Sequence, residues 1–142
     1  MRASRLSMLL FLPLLIMSCK DNPAAPELFS EEGELYYRVN QFDNFPGPKP
    51  EVQVTYTNLE GKLIVETVQL PWEKKFAYEY SVTQDELIKN NVNLIVQYEG
   101  EDETFLIAKI VADEILSRVG LGKSIIMNMN GTLELPKEYQ GS

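Results

Sequence analysis

Glu51-Val52-Gln53-Val54-Thr55-Tyr56-Thr57-Asn58-Leu59-Glu60-Gly61 is the stretch that decides the fold class. Val52, Val54 and Tyr56 fall on one face, and Gln53, Thr55 and Thr57 on the other. Period two of this kind means a strand with one face on a core and one in water. Asn58-Leu59-Glu60-Gly61 predicts a hairpin turn, with Gly61 suited to a positive φ. Residues 62–70 are then the return strand.

Strand signals recur on both sides of this hairpin. Residues 34–41 place Leu35, Tyr37 and Val39 on one alternating face. Asn44-Phe45-Pro46-Gly47-Pro48-Lys49-Pro50 is a rigid loop, because each proline fixes φ and lacks an N–H. Pro71-Trp72 ends the return strand, since proline interrupts a ladder. Residues 75–80 form another strand, with Phe76, Tyr78 and Tyr80 on one face. Thr83-Gln84-Asp85-Glu86-Leu87-Ile88 predicts one helical turn, capped by Thr83 with Glu86 three residues on. Asn90-Asn91 is expected to stop it. Residues 92–98 and 104–111 are strands joined by the acidic turn Glu99-Gly100-Glu101-Asp102-Glu103. A turn at Asp113-Glu114 leads to a short strand. Residues 124–130 and 132–135 complete the set, interrupted at Asn130-Gly131, and 137–142 form a fraying tail. Seven or eight short strands within 34–136 predict an all-β fold, an antiparallel β-sandwich.

The N-terminus carries a different message. Arg2 and Arg5 precede the apolar run 8–17, and Ser18 is a small residue before Cys19. This is the layout of an export signal peptide. The run is too short to span a bilayer, which needs ~20 apolar residues. Ile16-Met17-Ser18-Cys19 fits a bacterial lipobox, so residues 1–18 are expected to be removed. Cys19 is then expected to carry a diacylglycerol and an N-acyl chain such as palmitate. Two or three such chains hold a protein on a membrane far more firmly than one. Residues 19–33, with Asp21-Asn22-Pro23-Ala24-Ala25-Pro26 at their centre, read as a flexible spacer. The residue after Cys19 is Lys20, not the aspartate that retains lipoproteins at the inner membrane of enteric bacteria. The expected place is therefore the outer membrane, facing the periplasm or the surface. Lys20-Asp21 also resembles the short tag on surface-exported lipoproteins of the Bacteroidota.

Charge narrows the function classes. Without residues 1–18 the chain keeps 11 of its 13 basic residues against 21 acidic ones, a net charge of −10. That balance argues against nucleic acid and anionic lipid as partners. The chain has no histidine and one cysteine. The commonest metal ligand and the usual general base are thus missing, and lipidation would use the only thiol. No catalytic residue, metal site or cofactor is expected beyond the lipid on Cys19.

Three segments invite sharper readings. Gly120-Leu121-Gly122-Lys123-Ser124 is reminiscent of a phosphate loop, but Ser117 stands where the motif needs its first glycine, and a strand follows instead of a helix. A glycine-rich hairpin connection is the plainer reading. Glu99, Glu101, Asp102 and Glu103 could hold Ca²⁺, but lack the spacing of a calcium loop; a solvated turn tip is expected. Leu70-Pro71-Trp72-Glu73-Lys74-Lys75-Phe76 is the most distinctive. Trp72 either plugs one end of the core or, with Tyr78 and Tyr80, offers aromatic faces for binding a ligand.

The pattern Val52-x-Val54-Thr55-Tyr56-Thr57-Asn58, then Gly61, then Val68-x-Leu70-Pro71-Trp72-x-Lys74-x-Phe76 resembles a motif of small envelope proteins. These include MmpS-type accessory proteins, which work beside MmpL-type lipid exporters. The resemblance runs from about Tyr36 to Leu135. It implies an immunoglobulin- or transthyretin-like sandwich and an accessory role in a membrane transport complex. This chain departs from the family in having a lipobox in place of an uncleaved membrane helix, and no cysteine pair. The expected function is a non-enzymatic, lipid-anchored accessory or interaction module of the cell envelope. The alternative is a cell-surface lipoprotein that binds glycan or lipid.

Overall fold

The computed structural model describes residues 27–139. Cys19, the signal peptide and most of the expected spacer lie outside the described residues. Six antiparallel strands follow one another: β1 (Leu28–Gln41), β2 (Glu51–Thr57), β3 (Leu63–Gln69), β4 (Trp72–Thr83), β5 (Leu87–Val111) and β6 (Ile115–Pro136). A single 3₁₀ turn, Gln84–Glu86, separates β4 from β5 and carries the expected Thr83–Glu86 capping box; Leu87 and Ile88, expected in the turn, instead open β5, where Pro136 and Leu135 pair with them.

The sheet order is β3-β2-β5-β1-β4, with β6 along the other side of β5. β5 is the spine. Its first half pairs with β2, from Gln53↔Gln97 to Tyr56↔Leu94. Its second half pairs with β1, from Tyr36↔Val111 to Gln41↔Leu106. β6 follows β5 from Leu87↔Pro136 to Val111↔Ile115. The long β5–β6 hairpin bends midway, so each of its strands contributes to two layers. One layer is β3, β2, the first half of β5 and the second half of β6. The other is β4, β1, the second half of β5 and the first half of β6. This is an antiparallel β-sandwich made from one curled sheet. Its six strands supply eight strand segments, the upper figure that the turn signals imply.

The layers meet through the alternating residues. Leu35, Tyr37 and Val39 of β1 are fully buried, as are Val54 and Tyr56 of β2. The Tyr37 and Tyr56 rings lie 5.5 Å apart across the layers. The even residues Val92, Leu94 and Val96 and Leu106, Ala108 and Ile110 of β5 join the same core. Burying each large side chain contributes ~1.5–3 kcal/mol. In the β2–β3 hairpin Gly61 takes φ +83°, and the Asn58 carboxamide accepts 2.9 Å bonds from the Glu60 and Lys62 amides.

The bend is where sequence and structure part. Glu99-Gly100-Glu101-Asp102-Glu103 is not a turn between short strands but a bulge in a continuous one. Glu99 pairs with Ser124 and Thr104 with Gly122, so the four residues between face one residue of β6. An unequal count of this kind bends a ladder without ending it. The Tyr98 hydroxyl donates to the Asp102 carbonyl at 2.6 Å and ties the bulge down. Gly120–Ser124 is likewise strand, not a hairpin connection. A Cβ on Gly120 would sit 2.6 Å from the Ile125 side chain, so glycine lets β6 fold back here.

Other boundaries also move. β1 begins at Leu28, and 28–33, expected in the spacer, pair with β4 from Leu28↔Thr83 to Gly33↔Tyr78. Main-chain pairing does not need apolar side chains, and Glu31, Glu32 and Glu34 keep enough exposure to stay solvated. β4 starts at Trp72, earlier than expected. Asn90-Asn91 and Asn130-Gly131 lie inside β5 and β6 because each has a partner across the hairpin. In the expected tail, the Lys137 amide donates to the Glu86 carbonyl at 2.7 Å, and the Tyr139 hydroxyl accepts from the Glu79 amide at 3.2 Å.

Candidate functional site

The three aromatic residues singled out in the sequence all lie on the inward face of β4, but in two groups. Trp72 and Tyr78 are six residues apart, ~20 Å along a strand. Trp72 is half-buried and rests against Tyr56, ring centres 5.3 Å apart. Phe76 lies 6.1 Å from the same tyrosine. The Tyr56 hydroxyl donates to the Glu66 carboxylate of β3. Burial first, and then this carboxylate, push the Tyr56 phenol well above its ordinary range. Trp72 thus sits among core aromatics where β3 passes into β4.

Tyr78 and Tyr80 come together at the other end of β4. Their rings are stacked at 6.2 Å. Tyr80 is nearly buried, and its hydroxyl donates to the Glu31 carboxylate at 3.0 Å. Burial, and then this bond, push its pKa up to about 12. Tyr78 lies over Gly33, where a Cβ would come within 2.7 Å of the phenol oxygen. Burial and the nearby Glu31 and Asp113 charges raise its pKa. An open trough of about 670 Å³ runs past Gly33, Tyr78, Glu79 and Tyr139. A second, of about 560 Å³, runs past Ser30, Glu31, Tyr80 and Ser81. The phenols are neutral donors at physiological pH and the rims are acidic. Such a surface can accept hydrogen bonds from hydroxyl groups. The Ser30 and Ser81 hydroxyls bond each other at 2.8 Å, and the chain has no histidine to activate either. Among the described residues no group of three or more acidic, histidine or cysteine side chains is placed to hold a metal ion. No described helix is long and apolar enough to cross a membrane.

The outer face of the β4 layer carries a surface that the sequence reading missed. Phe42 stacks on Phe105 at 4.7 Å. Phe105 pairs with Leu121, Ile107 with Val119, and Val111 with Ile115. Phe42, Ile115, Val119 and Leu121 are 47–67 % exposed. A hollow of about 260 Å³ beside Phe42 and Ile107 is flanked by Arg38 and Lys109, with Asp43 at its end. The signal was present as charge segregation: 36–41, 104–111 and 115–124 contain Arg38, Lys109, Arg118 and Lys123 but no acidic residue. It becomes visible only once pairing sets those segments side by side.

No known protein family, no curated protein and no solved structure matches this chain.

Proposed function

We propose that this protein is a non-enzymatic lipoprotein of the bacterial cell envelope, acylated at Cys19, whose β-sandwich acts as an interaction or accessory module. The outer membrane is its place, and a membrane transport complex is the partner class that the MmpS resemblance implies. The observation that carries the reading is the exposed apolar and basic face around Phe105 and Leu121 on an otherwise acidic domain. Contiguous exposed apolar surface of this kind is characteristic of protein contact sites. The lipobox supports the anchor. Metabolic labelling with palmitate tests it: the wild type incorporates label and Cys19→Ala does not. Equal labelling of the two would sink the anchor.

The Tyr78–Tyr80 troughs favour a second reading, a surface lipoprotein that binds hydroxyl-rich glycans. Retention on a glycan array that Tyr78→Ala abolishes would support it. No retention on any glycan would rule it out.

A further inference from the structure

The sandwich has four lateral strand edges, and three of them carry a device that blocks further pairing. On β3 the charged Glu66 points inward and holds the Tyr56 hydroxyl. On β4 the Glu79 amide is taken by Tyr139. On the second half of β6, Arg118 takes the Asn128 carbonyl at 3.2 Å. The Asp113 amide takes the Thr132 carbonyl, and the Asp113 carboxylate takes the Glu134 amide at 3.1 Å. Inward charges and covered main-chain groups are how proteins protect strand edges. The fourth edge, the first half of β6 over 115–122, has no partner besides β5 among the described residues. It also borders the apolar face, through the exposed Ile115, Val119 and Leu121.

We propose that this edge is a strand-addition site for an extended, acidic and apolar segment of a partner protein. The inference rests on the interaction-module reading and names its partner chemistry. A strand laid beside β6 would place alternate side chains on the two faces. Those on the outer face would cover Ile115, Val119 and Leu121. Those on the other would approach Arg118. The choice of an acidic segment follows from charge. The paired segments 36–41, 104–111 and 115–124 hold four basic residues and no acid, with Asp43 beside Phe42 and Glu73 opposite Arg38 as acids at the border, whereas the rest of the domain is strongly acidic. An acidic strand is attracted here and repelled elsewhere, which selects this edge and turns its acidic side chains toward Arg118. Main-chain bonds along the edge then supply affinity, as in other strand-addition complexes.

The probe is a short synthetic peptide of alternating valine and glutamate, added to the purified full chain. The controls are a valine–lysine peptide and a valine–glutamate peptide of the same composition arranged in two blocks. Binding is read by fluorescence anisotropy, and its place by backbone amide shifts. The alternating acidic peptide is expected to bind about tenfold or more tightly than either control, with shifts confined to 115–122 and its neighbours. Arg118→Glu is expected to cost about tenfold. Methylating alternate peptide amides should abolish binding in one phase and spare it in the other, because only one set faces the edge. Affinities within about threefold across the three peptides would overturn the proposal. So would shifts on β3, or an unchanged affinity in a folded Arg118→Glu variant. Two further outcomes would also overturn it: a dimer that Val119→Lys dissolves, meaning that a second copy occupies the edge, or binding of anionic vesicles through this face with no peptide binding. A chain that still takes up palmitate at Cys19 but ignores the peptide would retire this assignment alone.

Discussion

The Tyr37 hydroxyl on β1 donates a 2.6 Å hydrogen bond to the Thr57 carbonyl on β2, joining the two layers through the middle of the core. Both residues are buried. Tyr37→Phe keeps the ring but strands the carbonyl. An unsatisfied buried acceptor costs about 1–3 kcal/mol. Urea unfolding of Tyr37→Phe should show a loss in that range with an unchanged slope. No loss would mean that the layers are held by packing alone.

Gly120 and Ile125 define the bend in β6. A Cβ at Gly120 would meet Ile125 at 2.6 Å, so Gly120→Ala should destabilise by about 1–3 kcal/mol through overpacking. Adding Ile125→Ala should recover part of that loss. A double-mutant cycle measures the coupling directly. Strictly additive effects would show that the backbone shifts to make room.

Alkaline titration should expose Tyr80. Its pKa is raised from 10.0 to about 12 by burial and by the Glu31 hydrogen bond. Between pH 10 and 12 the folded chain therefore binds more protons than the unfolded chain. This group's contribution to stability is complete below pH 10 and is lost as pH rises through 12. Burial raises Tyr37 and Tyr56 in the same direction. Tyrosinate absorbance should lag behind that of free tyrosine until the chain unfolds. Tyr80→Phe should remove one late-titrating phenol. A Tyr80 that ionises at its ordinary pH would contradict the buried geometry.

Trp72 offers an optical test. Its half-buried ring rests on Tyr56, so its emission should be blue-shifted relative to the unfolded chain. Trp72→Ala should lose about 2 kcal/mol or more, while Trp72→Phe should lose less. A stable Trp72→Ala protein would free this side chain for a binding role.

Glu66 protects the β3 edge. Glu66→Val removes the inward charge and leaves the Tyr56 hydroxyl without its acceptor. The variant should form larger species by sedimentation at concentrations where the wild type does not. Glu66→Gln, which keeps an acceptor, should behave more like the wild type. Identical sedimentation of wild type and Glu66→Val would assign edge protection to other residues.

The parts of the fold legible in the sequence are those set locally. Alternation over Val52, Val54 and Tyr56 and the Asn58–Gly61 turn depend on neighbours in the chain, and both are as expected. So is the Thr83–Glu86 cap. The continuity of β5 and β6 was not legible. Glycine and acidic residues at 99–103 have the composition of a turn, and only the opposing β6 residues decide between a turn and a bulge. Asn90-Asn91 and Asn130-Gly131 mislead for the same reason: cross-strand pairing overrides local preference. Of the candidate site, the neighbourhood of Tyr78 and Tyr80 was legible from β4 alternation. Glu31, Gly33 and Tyr139 were not, because they arrive from both ends of the described chain. The Phe42–Leu121 face was hidden because 36–42 joins the 104–122 hairpin only through long-range pairing.

The double service of β5 bears on the order in which the chain can fold. The first of the described strands, β1, pairs along 36–41 with residues 106–111, well inside the last third of the chain. Contacts of such long separation form slowly, because a large loop must close before they gain anything. During synthesis β1 has β4 as its first partner, while its other edge over 36–41 waits for the second half of β5. Pulse-labelled hydrogen exchange during refolding should find the β5–β6 amides protected before those amides of 36–41 that face β5. A chain with this dependence profits from a chaperone that shields its early segments until the hairpin has formed.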